Sequence, residues 1–331
     1  MRIAGGENKR KETEDMDSYK ANLILTGDCF DQMKGLDRNS VDLIVTSPPY
    51  ADARKSTYGG IRPDEYVDWF LPRSKEFLRV LKPTGSFVLN IKEKALNGQR
   101  HTYVLRLILA LQKQGWFWVE EYIWHKNNSV PGKWTNRFRD GWERVLHFTK
   151  NLSGFKMNQD AVRVPIGDWA KNQRKGLRQR DYRRERSNGS GFGTNDSYWL
   201  DKDTVLPDNV LHLASECSNR NHSAAFPESL PEFFIKLFTD EGDVVLDPFA
   251  GSGTTLAVAK RLDRRYIGIE RLQKYVDVIQ QRLGEDEPLI TVPAYAWITA
   301  VGGTAMGART EQEYEALREE ILAVCAIELA A

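Results

Sequence analysis

Cysteine is scarce. The chain of 331 residues holds three, Cys29, Cys217 and Cys325, far apart and without CxxC or Cys/His spacing. Neither a disulfide framework nor a zinc site is supported, and three reduced thiols are expected. Long apolar runs are missing too. No segment approaches the roughly 20 apolar residues of a membrane helix. Met1 to Lys20 is polar and charged where a secretory leader would be apolar. A soluble, cytoplasmic protein with no membrane partner is expected. Charge of one sign is also lacking: the net charge is +1, so where the basic residues lie says more than their sum. No internal repeat is present. The hydrophobic fraction of 41% is ordinary and supplies a sizeable core.

What is present is an alternation of strand and helix signals. Asn22-Leu23-Ile24-Leu25 reads as a short buried strand ending at Thr26-Gly27-Asp28, and Val41 to Val45 as a second. Apolar residues at helical spacing predict a helix from Tyr66 to Leu81, stopped by Lys82-Pro83-Thr84-Gly85. Ser86 to Ile91 predicts a strand, Tyr103 to Gln114 a helix, and Phe117 to Trp124 a strand. From about Asn151 to Leu206 no sustained period exists, and Gly, Ser, Asn and Arg dominate. Regular signals resume with a helix at Leu230 to Phe238, a strand at Val244 to Asp247 and a helix at Thr254 to Leu262. A strand at Arg265 to Glu270 and an amphipathic helix at Leu272 to Leu283 follow. A charged helix is predicted from about Glu311 to Leu329. Strands alternating with helices imply an α/β fold with a parallel sheet.

Two motifs sit at strand ends. In Asp247-Pro248-Phe249-Ala250-Gly251-Ser252-Gly253-Thr254-Thr255, small residues let a ligand approach the backbone, and the helix start offers amides. It lacks the lysine of a Walker loop and the third glycine of a dinucleotide fingerprint. With Glu270 ending the next strand, a nucleoside site is expected, its carboxylate accepting the ribose hydroxyls. The second motif is Thr46-Ser47-Pro48-Pro49-Tyr50. Two prolines remove N–H donors and fix the backbone, so that Ser47 and a proline carbonyl can accept from an amino group. Tyr50 offers a stacking face. The plainer alternative is a proline-terminated strand with a surface tyrosine.

Together the Ser-Pro-Pro-Tyr and Asp-Pro-Phe-x-Gly-Ser-Gly-Thr-Thr motifs resemble the DNA amino-methyltransferases, which modify cytosine N4 or adenine N6. Their order, catalytic motif first, is similar to the beta group of that family. The resemblance covers roughly Leu23 to Leu283. It implies a circularly permuted, Rossmann-like methyltransferase sheet with helices on both faces and an inserted target-recognition region. The expected division is a flexible segment over 1–20 and a catalytic half over 21–150, then the insertion over 151–215. A cofactor-binding half over 216–284 and a C-terminal extension over 285–331 complete it.

The resemblance also implies S-adenosylmethionine as cofactor, no metal, and double-stranded DNA as partner. It leaves room for a cognate restriction endonuclease and for a homodimer. Ser47, Pro48, Pro49 and Tyr50 are the implied catalytic residues. Asp28, Phe226, Pro227, Asp247, Phe249, Gly251, Gly253, Thr254 and Glu270 are the implied cofactor contacts. A turn-capping aspartate and a core phenylalanine are the alternatives for Asp28 and Phe226, and His222 is as readily a cap or core residue as a contact. Cys29 is expected to be a packed thiol. Trp124-His125-Lys126 is similar to a segment beside the target-base pocket. No Pro-Cys nucleophile exists, which disfavours cytosine-C5 chemistry.

Within the insertion, Arg174, Lys175, Arg178, Arg180, Arg183, Arg184 and Arg186 are the expected DNA contacts, unless the run is simply a solvated loop. Serine at the head of the catalytic motif resembles the cytosine-N4 group, with adenine N6 as the alternative. A DNA-binding protein that keeps the fold without the reaction is the distant one, and the basic insertion disfavours an RNA or small-molecule methyltransferase. Asp247→Ala and Glu270→Ala are expected to weaken cofactor binding with the fold intact, and Tyr50→Phe to keep most activity because the ring remains.

Overall fold

A computed structural model of the chain describes residues 22–53, 59–129, 135–167, 185–187, 193–195, 203–215 and 226–284. Eight strands form one sheet: β1 (Leu23–Thr26), β2 (Val41–Thr46), β3 (Leu81–Ile91), β4 (Phe117–His125), β5 (Trp142–Thr149), β6 (Val210–His212), β7 (Val244–Asp247) and β8 (Arg265–Glu270). Their order across the sheet is β1-β8-β7-β2-β3-β5-β4-β6. Among the described residues, five helices of eight residues or more flank it: α1 (Tyr66–Val80), α2 (Tyr103–Gln114), α3 (Ser229–Phe238), α4 (Thr254–Arg261) and α5 (Gln273–Leu283).

Both faces of the central strands are buried, because successive side chains point to opposite sides. Leu25, Ile44, Phe87, Leu89 and Leu246 join the core shared with α1 and α2. Ile24, Leu43, Val45, Val88 and Val245 join the core shared with α3, α4 and α5. All six residues of β2 are buried. The mixed α/β sheet with helices on both faces is thus as the sequence predicts.

The strand directions differ from that expectation at one place. β1, β8, β7, β2 and β3 are parallel in sequence of contact, but β5 runs antiparallel to both β3 and β4. β6 then pairs parallel with β4. The sequence gives no strand at Trp142–Thr149, and its span for the insertion contains β6. At the α1–β3 junction the helix stops at Val80 and the strand starts directly at Leu81. The predicted stop over residues 82–85 instead forms an irregular first stretch of β3, with a register shift against β2. Pro83 has no N–H for a regular ladder there.

Between β5 and β6, Glu185–Ser187 pairs antiparallel with Gly193–Asn195, and Val164–Pro165 with Thr204–Val205. Arg174, Lys175, Arg178, Arg180, Arg183 and Arg184 lie outside the described residues; Arg186 lies on the first of these short strands. The predicted segments 1–20 and 285–331, together with Cys217, His222 and Cys325, also lie outside them. Among the described residues no helix is long and apolar enough to cross a membrane.

Candidate active site

Parallel strands bring their carboxyl ends to one edge of a sheet, and ligands bind in the crevice beyond that edge. Here β8 ends in Glu270, β7 in Asp247 and β2 in Thr46, while Asp28 lies two residues beyond β1. Because β5 is antiparallel, it is its beginning, Trp142 and Glu143, that reaches the same edge; Arg144 pairs with Ile91 near the end of β3. A cavity of about 400 Å³ opens there.

Its wall includes Asp28, Ser47, Pro48, Pro49, Tyr50, Phe226, Phe249, Gly251 and Glu270, all predicted from the sequence. The sheet order puts Asp28, Glu270 and Gly251 toward one end and Ser47 to Tyr50 toward the other. Four predicted residues, Pro227, Asp247, Gly253 and Thr254, are not on that wall. They support it. Asp247 is 2% exposed, and its carboxylate accepts from Thr46 Oγ1 (2.7 Å), Thr255 Oγ1 (2.6 Å) and the Phe249 N–H (3.1 Å). The first of these bonds ties the two motifs together across 201 residues of sequence. Gly253 caps α4 at φ 77°, where an added Cβ would lie 3.0 Å from Ile279. Thr254 Oγ1 accepts from Arg282 (3.0 Å). The Pro227 carbonyl accepts from the Leu230 N–H (3.0 Å) as α3 begins.

At the end of the cavity formed by β1 and β8, Glu270 accepts from the Gly251 N–H (3.0 Å) and the Leu272 N–H (2.9 Å), and burial raises its pKa. Asp28 both faces the cavity and caps a helical turn: it accepts from the Phe30 N–H (2.9 Å) and is gripped by Arg73 (2.7 Å). Phe226 likewise lines the cavity and belongs to the core. Arg73 stacks on Trp69, which faces Phe249 across the wall with ring centres 5.8 Å apart. Cys29 is buried, its thiol pushed up to about 12, as a packed thiol should be.

At the other end, Tyr66 donates to the Pro49 carbonyl (3.0 Å), holding the diproline turn. The Tyr50 hydroxyl is within 2.6 Å of Glu143 Oε2, 3.1 Å of Ser47 Oγ and 3.1 Å of Asn90 Oδ1. Burial and the nearby Glu143 charge push the phenol pKa far up, so Tyr50 stays protonated. Lys126 binds the other Glu143 oxygen and lies over Trp124. Glu143, Asn90, Trp69 and Arg73 are absent from the sequence-based set. No local spacing singles out Glu143, which joins the site through the pairing of β5 with β3 and β4.

The comparisons with known proteins identify the family. A family model described as DNA methylase, of the N6/N4 type, matches residues 41–281. The type II methyltransferase M.PvuII of Proteus hauseri is 32% identical over 275 residues, covering 76% of this chain and 81% of its own. M.HinfI of Haemophilus influenzae is 31% identical over 284 residues, covering 81% and 69%. The solved structure of PvuII DNA methyltransferase, titled cytosine-N4-specific, superposes with a TM-score of 0.58 at 26% identity, covering 80% of this chain and 93% of that one. The chain belongs to this DNA methylase family of the N4/N6 type.

Proposed function

We propose that this DNA methyltransferase transfers the methyl group of S-adenosylmethionine to the exocyclic amino group of a flipped-out base in duplex DNA, with cytosine N4 as the target. One observation carries the reading: two motifs about 200 residues apart meet at adjacent strand ends, joined by the Thr46–Asp247 hydrogen bond of 2.7 Å. The cavity suits the cofactor. Glu270 at one strand end can accept ribose hydroxyls, Asp28 can accept an adenine amino group, and Trp69 with Phe249 gives flat walls. When bound, S-adenosylmethionine would supply an electrophilic methyl group.

The chain's own residues do the rest. An amino nitrogen inside a duplex is paired and out of reach, so the base must leave the stack. Tyr50 presents a ring to it, with the hydroxyl fixed by Glu143. Ser47 Oγ and the Pro48 carbonyl accept from the amino group and hold its nitrogen in line. No covalent enzyme intermediate is needed, and the rate comes from positioning and fixed dipoles. Serine at position 47 and the cytosine-N4 title of the PvuII relative favour cytosine. DNA from cells expressing the chain should carry N4-methylcytosine at a defined sequence when read by sequencing that separates the two modified bases. N6-methyladenine there would move the assignment to adenine, and unmodified DNA would overturn it.

A further inference from the structure

Glu143 is a buried carboxylate, 6% exposed, near the start of the antiparallel strand β5, and with Asn90 and Lys126 it lines the cavity beside the catalytic motif. Its Oε1 takes the Lys126 ammonium, and its Oε2 takes the Tyr50 hydroxyl at 2.6 Å. Asn90 Nδ2 lies 3.3 Å from the same Oε2 and donates to the Arg144 carbonyl at 3.1 Å. That orientation turns Asn90 Oδ1 toward Tyr50, at 3.1 Å. The phenol therefore faces two acceptors, and one hydroxyl, Ser47 Oγ, at 3.1 Å.

Hydrogen-bond chains have a direction, and here it is fixed at one end. An ionised carboxylate accepts only. The single phenol proton of Tyr50 is committed to Glu143, in a charge-assisted bond shorter than the Tyr50 contacts with Ser47 and Asn90. The phenol oxygen can then only accept from Ser47, so Ser47 donates to it. With its own proton spent, Ser47 turns lone pairs to the cavity. An exocyclic amino group offers N–H donors, so an acceptor is the partner it needs at that point. A serine free to rotate would present its proton for part of the time and repel the amino group.

We propose that Glu143 is a positioning residue for methyl transfer: through Tyr50 it fixes the direction of the hydrogen-bond chain and makes Ser47 an acceptor for the target amino group. This rests on the amino-methylation reading above. It also changes the expectation for Tyr50, because the hydroxyl, and not the ring alone, becomes part of the device.

The test uses the full chain, tritiated S-adenosylmethionine and unmodified bacteriophage DNA, with single-turnover rates at saturating cofactor and DNA. Glu143→Gln, whose amide can donate as well as accept, should lower the rate about ten-fold or more, while cofactor affinity stays near wild type. Tyr50→Phe, which removes the relay from its middle, should lose a similar factor. The double variant should be no slower than the slower single variant, because each change breaks the same chain. A residue that merely packs would act equally in both Tyr50 backgrounds. Losses that multiply in the double variant, or a Tyr50→Phe enzyme at the wild-type rate, would overturn the proposal, and the second outcome is readable even if Glu143→Gln fails to fold. Failure of the wild type to methylate any amino group would instead strike the functional reading itself.

Discussion

Asp247 and Glu270 end neighbouring strands, and burial raises the pKa of both carboxyls, yet their surroundings differ. Both oxygens of Asp247 are spent on Thr46, Thr255 and Phe249, away from the cavity wall. Glu270 accepts two backbone N–H groups and also faces the cavity. The geometry therefore changes the sequence expectation for Asp247. Asp247→Ala leaves three buried donors without an acceptor, at about 1–3 kcal/mol for each unsatisfied group. Its melting temperature should fall by about 4 °C or more, taking roughly 2–4 °C per kcal/mol for a domain of this size. Glu270→Gln keeps the volume and an acceptor but loses the charge. It should weaken S-adenosylmethionine binding about ten-fold, since a bond to a charged group is worth about 1.5–3 kcal/mol, and shift melting less than Asp247→Ala does. Calorimetric titration and thermal melting on both variants separate the roles. Equal melting shifts, or an unchanged affinity in Glu270→Gln, would contradict the division.

At the scale of elements, β5 carries both a testable property and the main gap between sequence and structure. His147 in its middle is buried against Phe238 of α3, with ring centres 4.3 Å apart, and its Nε2 is 2.9 Å from Ser86 Oγ. Burial lowers its pKa to about 3 from 6.5. Between those values the unfolded chain binds a proton that the folded chain refuses, so stability is lost as the pH falls through that window, by up to about 1.4 kcal/mol per unit. Melting temperature should drop between pH 6.5 and 5, and His147→Gln should flatten the drop; an unchanged slope would mean His147 is protonated in the fold. The raised carboxyls of Asp247 and Glu270 act with the opposite sign in the acid range. β2 and β7 are legible in sequence because they are apolar runs that stop at Pro, and β8 because it is a mostly apolar run between charged residues. β5 is not, because Glu143, Arg144 and His147 interrupt it. They are tolerated only through partners far away in the chain: Tyr50 and Lys126, Glu93 and Glu121, and Ser86. β6, at three residues, is too short to carry a period. Motif residues could be named from local spacing, whereas Glu143 and Asn90 join the site only by strand pairing.

For the whole molecule, the sheet joins two stretches of sequence into one site, and the basic run lies between them in sequence. Residues 171–184 hold seven basic residues against one acidic, in a chain whose net charge is +1, so the remainder is net negative. A phosphate backbone would be repelled by that remainder and attracted by the run, and each phosphate neutralised adds about −0.9 to the slope of log affinity against log salt. The cofactor contacts expected from the sequence all lie outside 171–184. Replacing 171–184 by a short Gly-Ser linker should leave S-adenosylmethionine affinity unchanged and sharply reduce both duplex affinity and its salt slope. Titrations of wild type and variant against duplex DNA at several salt concentrations measure both quantities. A variant that binds with the wild-type affinity and slope would make the run a solvated loop, and phosphate recognition would then have to come from cations elsewhere in the chain.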